Sequence, residues 1–360
     1  MPGLMRQGER VVLAAGFVVA LLLRLFFFRA FAENYDTQSY REVVRVMASG
    51  GDPYGGTDRY NYSPVWAGTL AILDVAARAS GLPLSTAVGA LLLVADLLAA
   101  LLLFRLGGGG EAGLRAALLF FANPVSVWLS SYHRSFDAIA IVLLLLALRL
   151  SRADPVRPAR VSAALAASLL FKHVATFHPL LFLRGRRQPG LGLVAVAVPY
   201  AVFLASFVPF WRSWRPIRDN VLLYGGLGGL FGTDALLLVP GVPFWVPRLL
   251  FAAAVLTAVA LLRRAEIEPV RASLVLFLVV LIFLPGIGRQ YFVWPIALGA
   301  LCGGPGYLVY SVIATGSLVS VSGMAPGLPH LPGWYGVWWA CVLWLLLELK
   351  ALGGVARRLA

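Results

Sequence analysis

Continuous apolar runs close to twenty residues long recur from one end of this chain to the other, and no other feature constrains its fold as tightly. That is the length at which a helix crosses the hydrocarbon core of a bilayer. The runs do not alternate apolar with polar residues, so they read as helices and not as the strands of a barrel. Hydrophobic residues make up 60% of the 360 and charged residues only 13%, against roughly 25% charged in an ordinary soluble domain. The expected fold is an all-α polytopic membrane protein, a single domain over residues 1–360 with about ten to twelve transmembrane helices and no internal repeat.

The net charge of +14 does not point to nucleic acid. The basic residues fall in short clusters between apolar runs, as the positive-inside rule distributes them. Arg149, Arg152, Arg157 and Arg160 mark one such cytoplasmic loop, Arg184, Arg186 and Arg187 a second, and Arg357-Arg358 a basic tail. Arg6 and Arg10 precede the first apolar run, which places its start inside and the loop after it outside. Ala30-Phe31-Ala32 resembles a signal-peptidase site, but the run is long and contains Arg24, so a retained first helix over about 11–30 is expected. Cys302 and Cys341 sit in apolar surroundings and read as small core residues, and no His/Cys spacing matches a zinc site.

The first external loop, residues 31–84, is the longest polar stretch and holds Glu33, Asp36, Glu42, Asp52, Asp58 and Asp74, six of the sixteen acidic residues. Within it Tyr40, Val43, Val44 and Met47 recur at helical spacing opposite Arg41, Glu42 and Arg45, which predicts a short amphipathic surface helix ended by Gly50-Gly51-Asp52-Pro53. Residues 63–77 either span the membrane or lie on its outer face, and the positions of Arg105 and Arg115 favour the outer face. Further helices are expected over about 85–104, 114–131, 136–150, 190–208, 247–262, 273–285, 292–302, 307–321 and 334–350. Two short helices are expected within 161–183, and 209–246 forms a second external segment.

Asp36 is the first candidate for chemistry, because a carboxylate just outside a membrane helix can deprotonate an acceptor hydroxyl as general base. It equally fits a solvated acid or an N-cap for a helix starting at Thr37. Arg289, in a glycine-flanked turn, can hold a phosphate through two parallel hydrogen bonds, or pair with lipid headgroups. His133 and Asp137 lie in an external turn, where Asp137 can also oppose a helix dipole. Lys172, His173 and His178 lie near membrane depth, where ionisable groups are costly and point to function. Asp96, inside an apolar helix, reads equally as functional or as a hydrogen bond to a neighbouring helix.

Read in order, these segments resemble a known family. Asn34-Tyr35-Asp36, Gly51-Asp52-Pro53-Tyr54 and Tyr60-Asn61-Tyr62-Ser63-Pro64 look like the first external loop of the catalytic subunit of the type I GPI mannosyltransferase. Its wider relatives are the C-type glycosyltransferases that use polyprenyl-phosphate sugars. Ala95-Asp96-Leu97-Leu98, Asn123-Pro124, Phe136-Asp137, Lys172-His173, His178-Pro179 and Arg289-Gln290-Tyr291 continue the resemblance, best over about 33–180. The high Ala, Leu, Gly and Arg content suggests a prokaryotic relative.

The resemblance implies a mannosyl or other hexosyl transfer from a polyprenyl-phosphate donor to a lipid or glycan acceptor on the outer face of the cytoplasmic membrane. Asp36 would serve as general base, Arg289, Lys172 and His173 would meet the donor phosphate, and Asn34, Tyr62, His133, Asp137, His178, Gln290 and Tyr291 would bind substrate. The first acid of the family's paired-acid motif is Asn34 here, which leaves a divalent metal open and no cofactor certain. The competing functions are a transporter or lipid flippase, which predicts paired halves that the sequence lacks, and a noncatalytic membrane subunit.

Overall fold

The computed structural model describes residues 7–31, 33–153, 155–182, 189–223, 232–322 and 333–359, and among them every regular element is helical. The chain divides into two compact units, Met1–Ala122 with Ser126–Tyr224, and Asn123–Val125 with Gly225–Ala360.

The first unit opens with α1 (Gln7–Ala30) and the amphipathic α2 (Tyr35–Ala48), followed by the short α3 (Pro53–Gly56) and α4 (Pro64–Ser80). Then come α5 (Leu84–Leu106) and α6 (Gly110–Phe121). A single turn, α7 (Pro124–Val127), crosses the division between the units and runs into a π-helical turn, Trp128–Tyr132. The unit continues through α8 (Asp137–Ser151), α9 (Pro158–Phe171), α10 (Pro189–Ala205) and α11 (Trp214–Ile217). The second unit carries α12 (Trp245–Arg264), α13 (Pro269–Phe283), α14 (Trp294–Cys302), α15 (Pro305–Val321) and α16 (Gly333–Leu359).

Four described helices are long and apolar enough to cross a membrane: Val11–Ala30, Leu84–Leu106, Trp245–Arg264 and Tyr335–Gly353. The number rises to six if each of two bent pairs is one span. The chain is therefore a polytopic α-helical membrane protein; ten to twelve spans would require shorter helices such as Pro158–Phe171 and Pro269–Phe283 to cross as well. The helix expected over 114–131 is not continuous. It stops at Phe121, and Gly110–Phe121 and Pro124–Tyr132 meet at 50°. Pro124 explains the break, because a proline disfavours helical backbone at the residue before it and cannot donate from its own nitrogen.

In α2, Tyr40, Val43 and Val44 face inward as the periodicity requires, with Met47 partly buried beside them. Around them Trp66 stacks on Phe136 with centroids 4.0 Å apart, and Tyr40 meets Trp66 edge-on. This aromatic cluster, with Tyr54, Tyr60 and Phe207, fixes the segment between α1 and α4 on its neighbouring helices.

One polar network lies among the apolar helices of this unit. Arg24 of α1 is 1% exposed and pairs with Asp96 of α5. Its guanidinium also donates to Phe121 O through Nε (3.1 Å) and Nη2 (2.9 Å), to Ser126 Oγ (2.8 Å) and to Ser130 Oγ (2.7 Å). Asp96 is thus the ionic partner of a neighbouring helix, which resolves its ambiguity towards a structural role.

Candidate functional site

The N-terminal turn of α2 carries the site. Asn34, not Asp36, is the N-cap: its Oδ1 accepts from Thr37 N at 3.0 Å, and Thr37 Oγ1 accepts from Asn34 N at 2.9 Å. The helix starts at Tyr35, two residues earlier than the N-cap reading of Asp36 assumed. The Asn34 amide nitrogen donates to Tyr132 O (3.1 Å) and His133 O (2.9 Å), so one side chain caps α2 and clamps it to the 132–133 backbone.

That role separates asparagine from aspartate at position 34. An aspartate could still cap α2, but it has no N–H to donate and would set a carboxylate against two carbonyls. Asn34→Asp should cost about 1–3 kcal/mol, the usual effect of leaving part-buried polar groups unpaired. Thermal unfolding of the purified variant in detergent checks this, and an unchanged midpoint would show that the clamp contributes nothing.

The clamp brings His133 to Asp36, with Nδ1 and Oδ2 3.2 Å apart and the two side chains 20% and 19% exposed. Burial by itself pushes the Asp36 carboxyl up. The charge and hydrogen bond of His133, with the nearby Lys172 ammonium, outweigh burial and hold the group below its ordinary carboxylate value.

Behind Asp36 lies a buried pair. Lys172 is 4% exposed, bonds Asp137 of α8, and has its Nζ 4.7 Å from the Phe136 ring centroid and 5.2 Å from that of Tyr62. Ser135 also donates to Asp137. The placement follows from the chain: α9 ends at Lys172 in extended backbone (φ −158°, ψ 148°), and Ser63 donates to Leu170 O, tying the Tyr60–Pro64 element to the end of α9. Lys172 thus already carries one carboxylate partner, with further N–H donors on its ammonium. His173 stands close enough to feel both charges of this pair.

The structure thus brings together Asn34, Asp36, Tyr62, His133, Asp137, Lys172 and His173 in the first unit. His178 is buried on the 3-10 turn His178–Phe182. Arg289, Gln290 and Tyr291 open the 3-10 turn Arg289–Val293 before α14 and belong to the second unit, where Tyr291 stacks on Trp294 at 4.3 Å. Asn123, of the Asn-Pro motif, belongs to that unit too and donates to Tyr307 Oη (2.9 Å) and Ser311 Oγ (2.8 Å).

Two residues with no motif to mark them complete the site. Tyr40 donates from its hydroxyl to Arg134 O at 3.0 Å, and Arg134 carries a left-handed φ of 58°. Among the described residues no group of three or more His, Cys, Asp or Glu is placed to hold a metal ion. An apolar cavity of about 680 Å³ in the second unit, lined by residues such as Thr257, Leu261, Val279 and Trp338, has no titratable side chain in its wall. No family model matches the chain, and no curated protein matches it.

Proposed function

We propose that this chain is a membrane glycosyltransferase that moves a sugar, mannose by the nearest resemblance, from a polyprenyl-phosphate donor to a lipid or glycan acceptor. The observation that carries the reading is Asp36: a partly exposed carboxylate at the start of a surface helix, held by an imidazole and kept ionised by its surroundings. Such a group is ionised and takes no part in the Asn34–Thr37 cap of α2.

In the reaction the acceptor hydroxyl gives its proton to Asp36 as its oxygen bonds the anomeric carbon. The bond from that carbon to the phosphate oxygen breaks, and its electron pair leaves with the polyprenyl phosphate. A cation near the donor phosphate would stabilise the departing charge. One displacement inverts the anomeric centre. The resemblance places the reaction on the extracytoplasmic face of the cytoplasmic membrane.

Membranes containing the protein, incubated with labelled polyprenyl-phosphate mannose and native lipid extract, should yield a new labelled product of inverted configuration. If neither this donor nor a panel of other lipid-linked sugars gives a product, the transferase reading falls.

A further inference from the structure

We propose that His133 is the positioning residue of Asp36: its Nδ1–H holds Oδ2 and leaves Oδ1 to take the acceptor proton. The inference rests on the transferase reading above and adds the group that aims its base. Oδ2 is the Asp36 oxygen that faces His133, 3.2 Å from its Nδ1. The contact falls short of hydrogen-bond geometry, as catalytic contacts are often poorly aligned before substrate arrives.

The backbone around His133 is built to hold that contact. It follows directly on the π-helical turn Trp128–Tyr132, a rare geometry that recurs at functional sites. It precedes Arg134, whose positive φ costs a non-glycine residue roughly 1–2 kcal/mol. Three contacts stabilise this strained turn. The Asn34 amide takes the carbonyls of Tyr132 and His133, the Tyr40 hydroxyl takes that of Arg134, and Arg134 Nη2 donates to Phe28 O at 2.7 Å. Strain that the surroundings over-determine in this way belongs with sites that must hold a side chain in one place. None of the three contacts involves the imidazole itself, so the turn sets where the ring stands and the ring sets where the carboxylate points.

Besides His133, the groups that interact with Asp36 are Lys172 from the end of α9 and Tyr40 from α2 itself, and Tyr40 in turn lies near Asp137 of α8 and Tyr62 of the 60–64 element. Lys172 and Asp137 are paired with each other, so the local partner that sets the state of Asp36 is His133.

Two substitutions separate positioning from packing. Asparagine at 133 can still present an N–H near the place of Nδ1, whereas leucine fills similar space without a donor. His133→Leu should lower kcat by about 100-fold with KM little changed, the scale of a misplaced catalytic group. It should also move the acid limb of the pH profile upward, because the carboxylate loses the donor that favours its charged form. His133→Asn should recover most of the rate and the wild-type limb. Equal losses in both variants with no movement of the limb would overturn the proposal.

A readout that needs no transfer keeps the two readings apart. The chain has four histidines, so the pH dependence of diethyl pyrocarbonate labelling can be followed at His133 by mass spectrometry. In Asp36→Asn protein its midpoint should fall, since the anion that favours the imidazolium is gone. An unmoved midpoint overturns the proposal whatever the transfer assay shows. A lowered midpoint in a protein that transfers no sugar upholds the contact and overturns the proposed reaction instead.

Discussion

Asp36→Asn should abolish sugar transfer to within background, a fall of about 100- to 10,000-fold, which is the usual contribution of a positioned general base. The substitution keeps the side chain's shape and an oxygen that can accept from His133, so the protein should express and insert as wild type does. Asn34, Thr37 and Tyr40 hold α2 without Asp36. The direction of its ionisation adds a second expectation. The carboxyl is held below its ordinary value, so it is the charged form that the fold favours. Its contribution to stability is present above the unfolded value near ~4 and is lost only as pH falls through the lower folded value. Transfer should therefore not lose its base anywhere above about pH 4. A pH–rate profile with an acid limb well above that would place the base elsewhere, and so would a well-expressed Asn variant that still transfers sugar.

Arg24→Met should be the most destabilising single change in the first unit, costing roughly 3–5 kcal/mol. It strands the Asp96 carboxylate and removes donors from Phe121 O, Ser126 and Ser130 at once. The cost comes chiefly from the partner left behind, not from the intrinsic strength of the pair. Arg24→Met with Asp96→Leu should therefore recover much of the loss. Unfolding in detergent of the two single variants and the double variant forms the cycle that decides it. If the double variant is as unstable as the sum of the singles, Arg24 acts through its serine and carbonyl contacts and not through Asp96.

The parts of this structure that were legible in the sequence are those whose physics is local. A run of apolar residues announces a span by its length, and the spacing of Tyr40, Val43 and Val44 announces the buried face of α2. The end of α6 was written in Asn123-Pro124 yet read through, because the apolar pattern continues on both sides of it. Asn34 was recognised as a departure from a paired-acid motif. Its work as cap and clamp needs carbonyls 98 and 99 residues away and has no local trace. The same holds for Lys172 and Asp137, 35 residues apart and drawn together by the packing of α8 on α9. His133 was marked as a candidate, but the turn that aims it was hidden. Arg134 adopts a backbone that a sequence reader expects of glycine, and contacts from the distant Asn34, Tyr40 and Phe28 help to sustain the strain. The division into two units near residue 224 was equally silent, because both are built from the same apolar vocabulary.

The Arg24 network has a bearing on how the chain is made. Asp96 lies 72 residues further along, so at a synthesis rate of roughly 5–20 residues per second α1 waits about 4–14 s for its counter-charge. During that interval an unpaired arginine in the last third of the helix raises its insertion cost by up to about 2.5–3.5 kcal/mol, the value at a helix centre. The first helix is thus a passenger that the ribosome delivers early and the membrane accepts in full only when the fifth arrives. Nascent chains arrested before and after α5 would differ in how firmly α1 resists extraction from the bilayer.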